Sequence, residues 1–265
     1  MNVLEKIMSE RRQAVAIARR EVDEKALAVA ASKRRHHSLV DRLRQTQGTA
    51  IIAEMKKASP SAGLLRPVYD PAAIALAYAR HGAVGLSVLT EPLHFQGDAA
   101  HLRAVRAVVD LPVLRKDFMG DPYQIVEAAA WGADVILLIA AALTDPQMQD
   151  LYDRALDLGL DVLAEVHTIE ELHRALPLEK AIIGVNSRNL KTLKTDLAVA
   201  HAIAARIPAD RLSIAESGIR HRQEILDLEG AGYDGFLIGE ALVRQDDPGA
   251  GLSVLRGTGA VDEQP

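Results

Sequence analysis

Lysines and carboxylates stand where short apolar runs stop. Glu54 and Lys56 follow IIA, Lys116 closes VLRK, Glu165 ends DVLAE, Asn186 and Arg188 follow IIGV, and Glu216 with Ser217 follows SIA. Each run is short, rich in β-branched residues and apolar on both faces, as a strand buried in a parallel sheet requires. An ammonium or carboxylate just past such a strand must be paired or solvated. Strand ends that point one way would gather these groups at one mouth. The chemistry open to them is acid–base. With no cysteine in the chain, thiolate nucleophiles, disulfides and thiolate metal sites are excluded. No serine or histidine sits in a nucleophile elbow or a triad spacing. A lysine that is partly desolvated or near other cations has its pKa lowered, and a shielded carboxylate has its pKa raised. Lys116 and Glu165 are on that ground a candidate acid and base pair. The bland alternative for Lys116 is a structural salt bridge with Asp117 or Glu165.

The elements that must position these groups repeat along the chain. HGAVGLSVL, WGADVILLI, LGLDVLAEV and AGYDGFLIG each join a helix-ending glycine to a strand-like run. Glycine tolerates the left-handed conformation that closes a helix and returns the chain to a sheet. Helix starts are marked by Asp70 with Pro71, Asp121 with Pro122 and Gln124, Asp145 with Pro146, and Thr168 with Glu171. The pattern predicts strands over 49–54, 84–89, 112–116, 134–139, 161–165, 181–185, 211–215 and 235–238. A helix follows each, for example over 99–109 with Leu102, Val105 and Val109 on one face. Strict alternation demands parallel strands with right-handed crossovers, and eight units in about 210 residues match a closed (β/α)8 TIM barrel. A doubly wound open sheet is weaker, because AEMKKASPS stands where its glycine fingerprint would be.

The reading for residues 1–265 is one barrel domain, with 1–47 as a helical extension and 257–265 as a disordered tail. Leu4, Ile7, Val15 and Ala18 share a helix face in the extension, which could plug the barrel floor or cover the mouth. Hydrophobic residues make up 49% of the chain, enough for a large core, and no apolar run approaches the roughly 20 residues of a membrane span. The formal charge of -5 and the lack of a single-sign block argue against a nucleic-acid surface. No membrane partner is expected, protein partners are not readable, and the cysteine-free composition fits the cytoplasm. The histidines lack metal-ligand spacing, so no metal site is expected; His94 and His167 lie nearer the mouth, where exposure to solvent is the expected state.

Two late loops carry a second signal. Ser217-Gly218 and Gly239-Glu240 follow the seventh and eighth runs, where small residues let backbone N–H groups approach a phosphate. Phe95, Leu137, Ile139 and Leu237 are candidates for an apolar wall, against a bland role in the core. The loop over 54–69, with Lys57, Ser59, Pro60, Ser61 and Gly63, could close over a ligand.

Together AEMKKASPS, SVLTE with Phe95 and Gly97 beyond it, VLRKDF, ILLIAA, LAEVH, GVNSRNL, AESGI and FLIGEALV resemble the ordered blocks of the indole-3-glycerol phosphate synthases. The resemblance spans nearly the whole chain, including LEKI at 4–7. It implies ring closure of 1-(2-carboxyphenylamino)-1-deoxyribulose 5-phosphate in tryptophan biosynthesis, with loss of carbon dioxide and water and no cofactor. It also implies site roles. Lys116 would be the general acid, Glu165 would assist proton transfer, and Glu54 with Lys56 would serve dehydration and anchoring. Arg188 and Asn186 would hold hydroxyl or carboxylate oxygens, with Glu216, Ser217 and Ser59 completing the polar shell and Phe95 and Leu137 against the aryl ring. The phosphate would go to Gly218, Gly239 and Glu240. Ala62 departs from the family's usual lysine in an SPSKG block, and Glu240 from a serine. The alternatives are a phosphoribosylanthranilate isomerase-like or other phosphate-binding barrel enzyme and a non-catalytic phosphate-binding barrel.

Overall fold

Eight parallel strands close into one ring in the computed structural model, which describes residues 2–190 and 192–258. They are β1 (Ile51–Met55), β2 (Gly85–Leu89), β3 (Val113–Lys116), β4 (Val135–Ile139), β5 (Asp161–Val166), β6 (Ile182–Asn186), β7 (Ser213–Glu216) and β8 (Gly235–Ile238). Each pairs with the next and β8 returns to β1, so the expected barrel is the observed one.

Alternation along each strand explains how the mouth is populated. Ile52, Leu114, Leu163 and Ile214 belong to the cluster that fills the barrel. Two residues on, where the side chain points to the same face, stand Glu54, Lys116, Glu165 and Glu216. The inward row changes from aliphatic to charged at the top of the sheet. Ile51, Ala53, Val113 and Ala215, at the alternate positions of these strands, belong to the cluster that packs with the surrounding helices.

The helices are α1 (Val3–Glu21), α2 (Glu24–Ala31), α3 (Leu39–Gln45), α4 (Pro71–Arg80), α5 (Pro92–Phe95), α6 (Ala99–Arg106), α7 (Pro122–Trp131), α8 (Asp145–Asp157), α9 (Ile169–Ala175), α10 (Ala198–Ala204), α11 (Arg222–Gly230), α12 (Glu240–Val243) and α13 (Pro248–Arg256). Asp70 and Asp121 cap α4 and α7 through the N–H groups of Ala73 and Tyr123, and Thr168 caps α9 through Glu171. At α8 the cap falls one residue earlier than expected: Thr144 forms a box with Gln147, and Asp145 is already helical. The Gln124 side chain does not reach back to Asp121, although its backbone N–H donates to Asp121 O. The side-chain amide instead accepts from Gly120 N at 2.9 Å and donates to Phe118 O at 3.1 Å, bracing the loop that follows Lys116. The four helix-ending glycines, Gly82, Gly132, Gly159 and Gly232, all have positive φ. The helix expected over 99–109 stops at Arg106, with Val109 still buried.

The N-terminal extension turns out to divide its work between the two ends of the barrel. Leu39 and Leu43 of α3 join the interior cluster beneath Ala50 and Ile52. Asp161 at the start of β5 accepts from Leu39 N at 2.6 Å and Val40 N at 3.2 Å, which fixes this plug on the floor. At the other end, Leu4 and Ile7 of α1 share a small cavity with Phe95 and Phe118. Arg11 binds Asp117 at 2.8 Å, and Glu10 meets His94 at 2.6 Å. Both readings of the extension hold, each for a different helix. Val15 and Leu27 pack on Tyr123 and Val126 of α7 between them. At the C-terminus, Gly257 and Thr258, counted with the expected tail, instead close α13 by bonding back to Val254 O and Ser253 O; the rest of that stretch, 259–265, lies outside the described residues.

A histidine holds the floor plug in place. His36 lies 3.6 Å from Asp134 and 3.7 Å from Asp161. Hydrogen bonds to Asp134 and then Asp161 outweigh burial and raise its pKa from 6.5 to about 9. Because the folded value lies above the unfolded one, this contribution is complete below about pH 6.5 and is lost as pH rises through about 9. The thermal midpoint should therefore fall across that window, and His36→Gln should flatten the slope. Calorimetry over the same pH series tests this; a variant with an unchanged slope would remove His36 as the cause.

Candidate functional site

The mouth of the barrel opens into a cavity of about 600 Å³. Glu54, Lys56, Lys116, Glu165, Asn186, Arg188, Glu216, Ser217, Gly218, Gly239 and Glu240 all line it, as do Phe95 and Leu137. Of the residues singled out from the sequence, Ser59 stands apart. It borders the smaller cavity under α1, and its hydroxyl accepts from Ala62 N at 3.2 Å, within the loop itself. That loop is not irregular: Ala58–Ser59 and Gly63–Leu64 form an antiparallel ribbon. Ile139 and Leu237 also line the main cavity while packing in the barrel core, so the core and wall readings coincide.

Lys116 is the centre of the charge arrangement. Its Nζ donates to Glu165 Oε2 at 3.0 Å and to Glu216 Oε2 at 2.5 Å. Lys56 and Glu54 form a second pair at 2.6 Å. Burial opposes the charge on Lys116, but Glu216, Glu165 and Glu54 together outweigh it and push its pKa up. This reverses the expectation that the lysine is lowered and Glu165 raised, because the neighbours of Lys116 are carboxylates and those of Glu165 are cations. Burial raises Glu165, yet Lys116, His167 and Asn186 bring it below its ordinary value. The carboxylate that moves up is Glu216, to about 7, through burial and the repulsion of Glu165, which Lys116 offsets only in part. Glu54 is lowered: Lys56 and Lys116 overcome its burial. Near neutral pH the cluster holds a firmly charged ammonium beside a carboxylate that readily takes or gives a proton.

Small residues make room for these carboxylates. A Cβ on Gly184 would collide with Glu216 Oε1 and stand 3.0 Å from Leu163 Cδ1, and one on Gly239 would lie 2.5 Å from Glu54 Oε1. Gly184→Ala should cost about 1–3 kcal/mol of stability by overpacking. Glu216→Ala removes the main obstacle, so denaturant unfolding should show the double variant losing less than the sum of the single losses. Strict additivity would rule out this steric account.

The salt bridge between Lys116 and Asp117 does not form. Asp117 is fully buried and binds Arg115 at 2.9 Å, Arg11 at 2.8 Å and the Thr90 hydroxyl at 2.8 Å. The histidines near the mouth also differ from expectation. His94 is mostly buried in its pair with Glu10, and His167 is mostly buried between Glu171 and Glu165. Arg188 donates to Ser61 Oγ at 3.0 Å and approaches Glu240 at 3.7 Å, which ties the loop after β1 to those after β6 and β8. Ser217 and Gly218 both have positive φ, folding the chain sharply after β7. Sequence reasoning did not assign Phe118, Leu190 or Arg244, which also line the cavity. Phe118 and Leu190 lie inside the quoted blocks VLRKDF and GVNSRNL, and their closeness to Lys116 and Arg188 was the available signal. Phe118 meets Phe95 with ring centroids 5.9 Å apart.

Solved structures agree on the fold. A 3-hexulose-6-phosphate synthase superposes with a TM-score of 0.64 at 17% identity, covering 80% of this chain and 100% of that one. An N-acetylmannosamine-6-phosphate 2-epimerase from Clostridium perfringens gives 0.62 at 15%, covering 79% and 93%. Sequence relatives are far nearer. A protein of Burkholderia vietnamiensis named indole-3-glycerol phosphate synthase is 47% identical, covering 95% of this chain and 98% of its own. One of the same name from Azospirillum brasilense is 53% identical over 77% of this chain and 78% of its own. The family model described as indole-3-glycerol phosphate synthase matches residues 4–255, from the helix over the mouth to the last helix of the barrel. With the strand-end charges in the order that the quoted blocks carry them, the chain belongs to the indole-3-glycerol phosphate synthase family.

Proposed function

We propose that this chain is a decarboxylating and dehydrating lyase that closes the indole ring of 1-(2-carboxyphenylamino)-1-deoxyribulose 5-phosphate. The observation that carries the reading is the lysine held between two carboxylates, Lys116 with Glu165 and Glu216, beside the separate Lys56–Glu54 pair in one cavity. As the ring carbon bearing the carboxylate attacks the ketone carbon, Lys116 donates a proton to the ketone oxygen, and its ammonium stabilises the charge that develops there. Glu165 opposes the positive charge that spreads onto the aniline nitrogen. Loss of carbon dioxide leaves its bonding pair in the ring and restores aromaticity. Lys56 then protonates the departing hydroxyl, and Glu54 takes a proton from the adjacent methylene, so that water leaves.

The rest of the cavity suits the substrate's two ends. Phe95, Phe118, Leu137 and Leu190 offer an apolar wall for the aryl ring. Arg188 and Asn186 lie where hydroxyl or carboxylate oxygens need donors, and Ser217 adds a hydroxyl beside them, whereas Ser59 stays with the smaller cavity. The backbone at Gly218, Gly239 and Glu240 is assigned to the phosphate, with the Arg244 side chain nearby. Glu240 in place of serine leaves such a site intact, since a backbone N–H survives any side chain.

Mixing the purified chain with the carboxyphenylamino-deoxyribulose phosphate should produce growing indole fluorescence at the same rate with and without a chelator. Isomerisation of phosphoribosylanthranilate instead, or phosphate binding with no turnover, would overturn the proposal.

A further inference from the structure

Behind Glu165 lies a largely buried titratable group that the proposed chemistry does not use. His167 follows Glu165 by two residues at the end of β5, with a side chain only 11% exposed. Its ring is held from the outer side: Glu171 of α9 lies 3.1 Å from Nδ1 and also accepts from the His167 backbone N–H at 2.7 Å. Glu171 is itself fixed, as the third residue of a helix whose cap, Thr168, receives its backbone N–H. Nε2 then points to Glu165 Oε1 at 3.4 Å, an ion-pair distance without hydrogen-bond alignment, and it has no hydrogen-bond partner among the described residues. Oε2 of the same carboxylate goes to Lys116 at 3.0 Å.

We propose that His167 is a positioning residue: clamped by Glu171, its imidazolium holds one oxygen of Glu165 and leaves the other aimed at Lys116. The inference rests on the reading of Glu165 as a catalytic carboxylate. An oriented base whose orienter is in turn fixed by a third group is a recurrent way to hold a catalytic side chain in one geometry. Three carboxylates around the ring favour the imidazolium. Glu165 lies on its own strand, Glu171 on α9 and Glu216 across the mouth on β7, and against burial they raise the His167 pKa. The imidazolium in return favours the ionised form of Glu165, alongside Lys116 and Asn186. The charges alternate along the row Glu171, His167, Glu165, Lys116 and Glu216.

His167→Phe removes the charge while keeping a ring. Turnover should fall by about tenfold to a hundredfold, the scale of a catalytic group loosened by a fraction of its length. KM should change little, and the acidic limb of the kcat profile should move to higher pH, because Glu165 becomes easier to protonate. Glu171→Gln should shift the limb in the same direction by less, since the ring stays but loses its anchor. Should the phenylalanine variant fail to fold, His167→Gln gives the same reading. A folded variant at position 167 with the natural limb and natural kcat would overturn the inference. Glu165→Gln, run in parallel, separates the two claims: if it retains turnover, the role of Glu165 falls, whereas an inactive Glu165→Gln beside an unaltered His167 variant defeats only the positioning role.

Discussion

Lys116→Met should lose about a hundredfold or more in kcat, with the fold intact. The methionine keeps the length and apolar stem of the side chain, so the barrel packing survives. What disappears is the only proton donor seated between Glu165 and Glu216 among the described residues. The structure also indicates how the fold tolerates the loss. Glu216 already sits at about 7 with the lysine present, so without it the carboxyl takes up a proton instead of remaining a buried, unpaired anion. Lys116→Arg separates two contributions that methionine removes together. Arginine retains the positive charge but does not release a proton in the accessible range. If proton donation dominates, the arginine variant stays close to methionine; if charge stabilisation dominates, it recovers much of the rate. Pre-steady-state indole fluorescence with circular dichroism on each variant decides between them, and a methionine variant at full rate would dismiss Lys116 as the acid.

The elements were legible because their chemistry is local. Proline after aspartate at 70–71 and 121–122 marks helix starts whatever surrounds them, and glycine at 82 or 132 ends a helix for reasons internal to the turn. The apolar runs also marked Glu54, Lys116, Glu165 and Glu216 as strand-end groups; the ring shows them on the inner face, two residues beyond core aliphatics. The direction of the shift at Lys116 was not legible. It depends on which charges arrive from other strands, and the sequence offered lysines and glutamates as equally available neighbours. Only the closed ring brings Glu216, 100 residues away along the chain, against the ammonium. His167 was misread for a related reason. In sequence it is one polar residue before a helix cap, but Glu171 lies one turn further on, on the same face, and folds the ring back against Glu165. The division of the extension between floor and mouth was likewise hidden, because apolar faces do not state what they cover.

Arg115→Met should destabilise the protein by about 3–5 kcal/mol, the cost of breaking a buried ion pair by removing one partner. Arg115 sits one residue before Lys116, so the alternation that sends the lysine into the mouth sends the arginine outward, beneath α7. There it is fully buried, and its guanidinium donates to Asp117 at 2.9 Å, Gln124 O at 3.0 Å and the Thr90 hydroxyl at 3.2 Å. It also pairs with Glu127 at 2.8 Å and lies 4.1 Å from the centroid of Trp131. Asp117 keeps Arg11 and Thr90 when Arg115 is lost, but Glu127 has no other ion-pair partner among the described residues. The larger share of the loss should therefore come from Glu127. The double variant Arg115→Met with Glu127→Met should recover most of it, because apolar groups of similar size fill the layer without a stranded charge. Trp131 is the single tryptophan of the chain, so urea unfolding followed by its emission reads the same layer that is altered. A loss below about 1 kcal/mol, the range of an exposed pair, would show that the arginine is dispensable to the fold. Recovery in the double variant without recovery of kcat would instead show that Arg115 also holds Asp117, whose Oδ1 accepts from Phe118 N at 2.9 Å and so fixes the loop beyond Lys116.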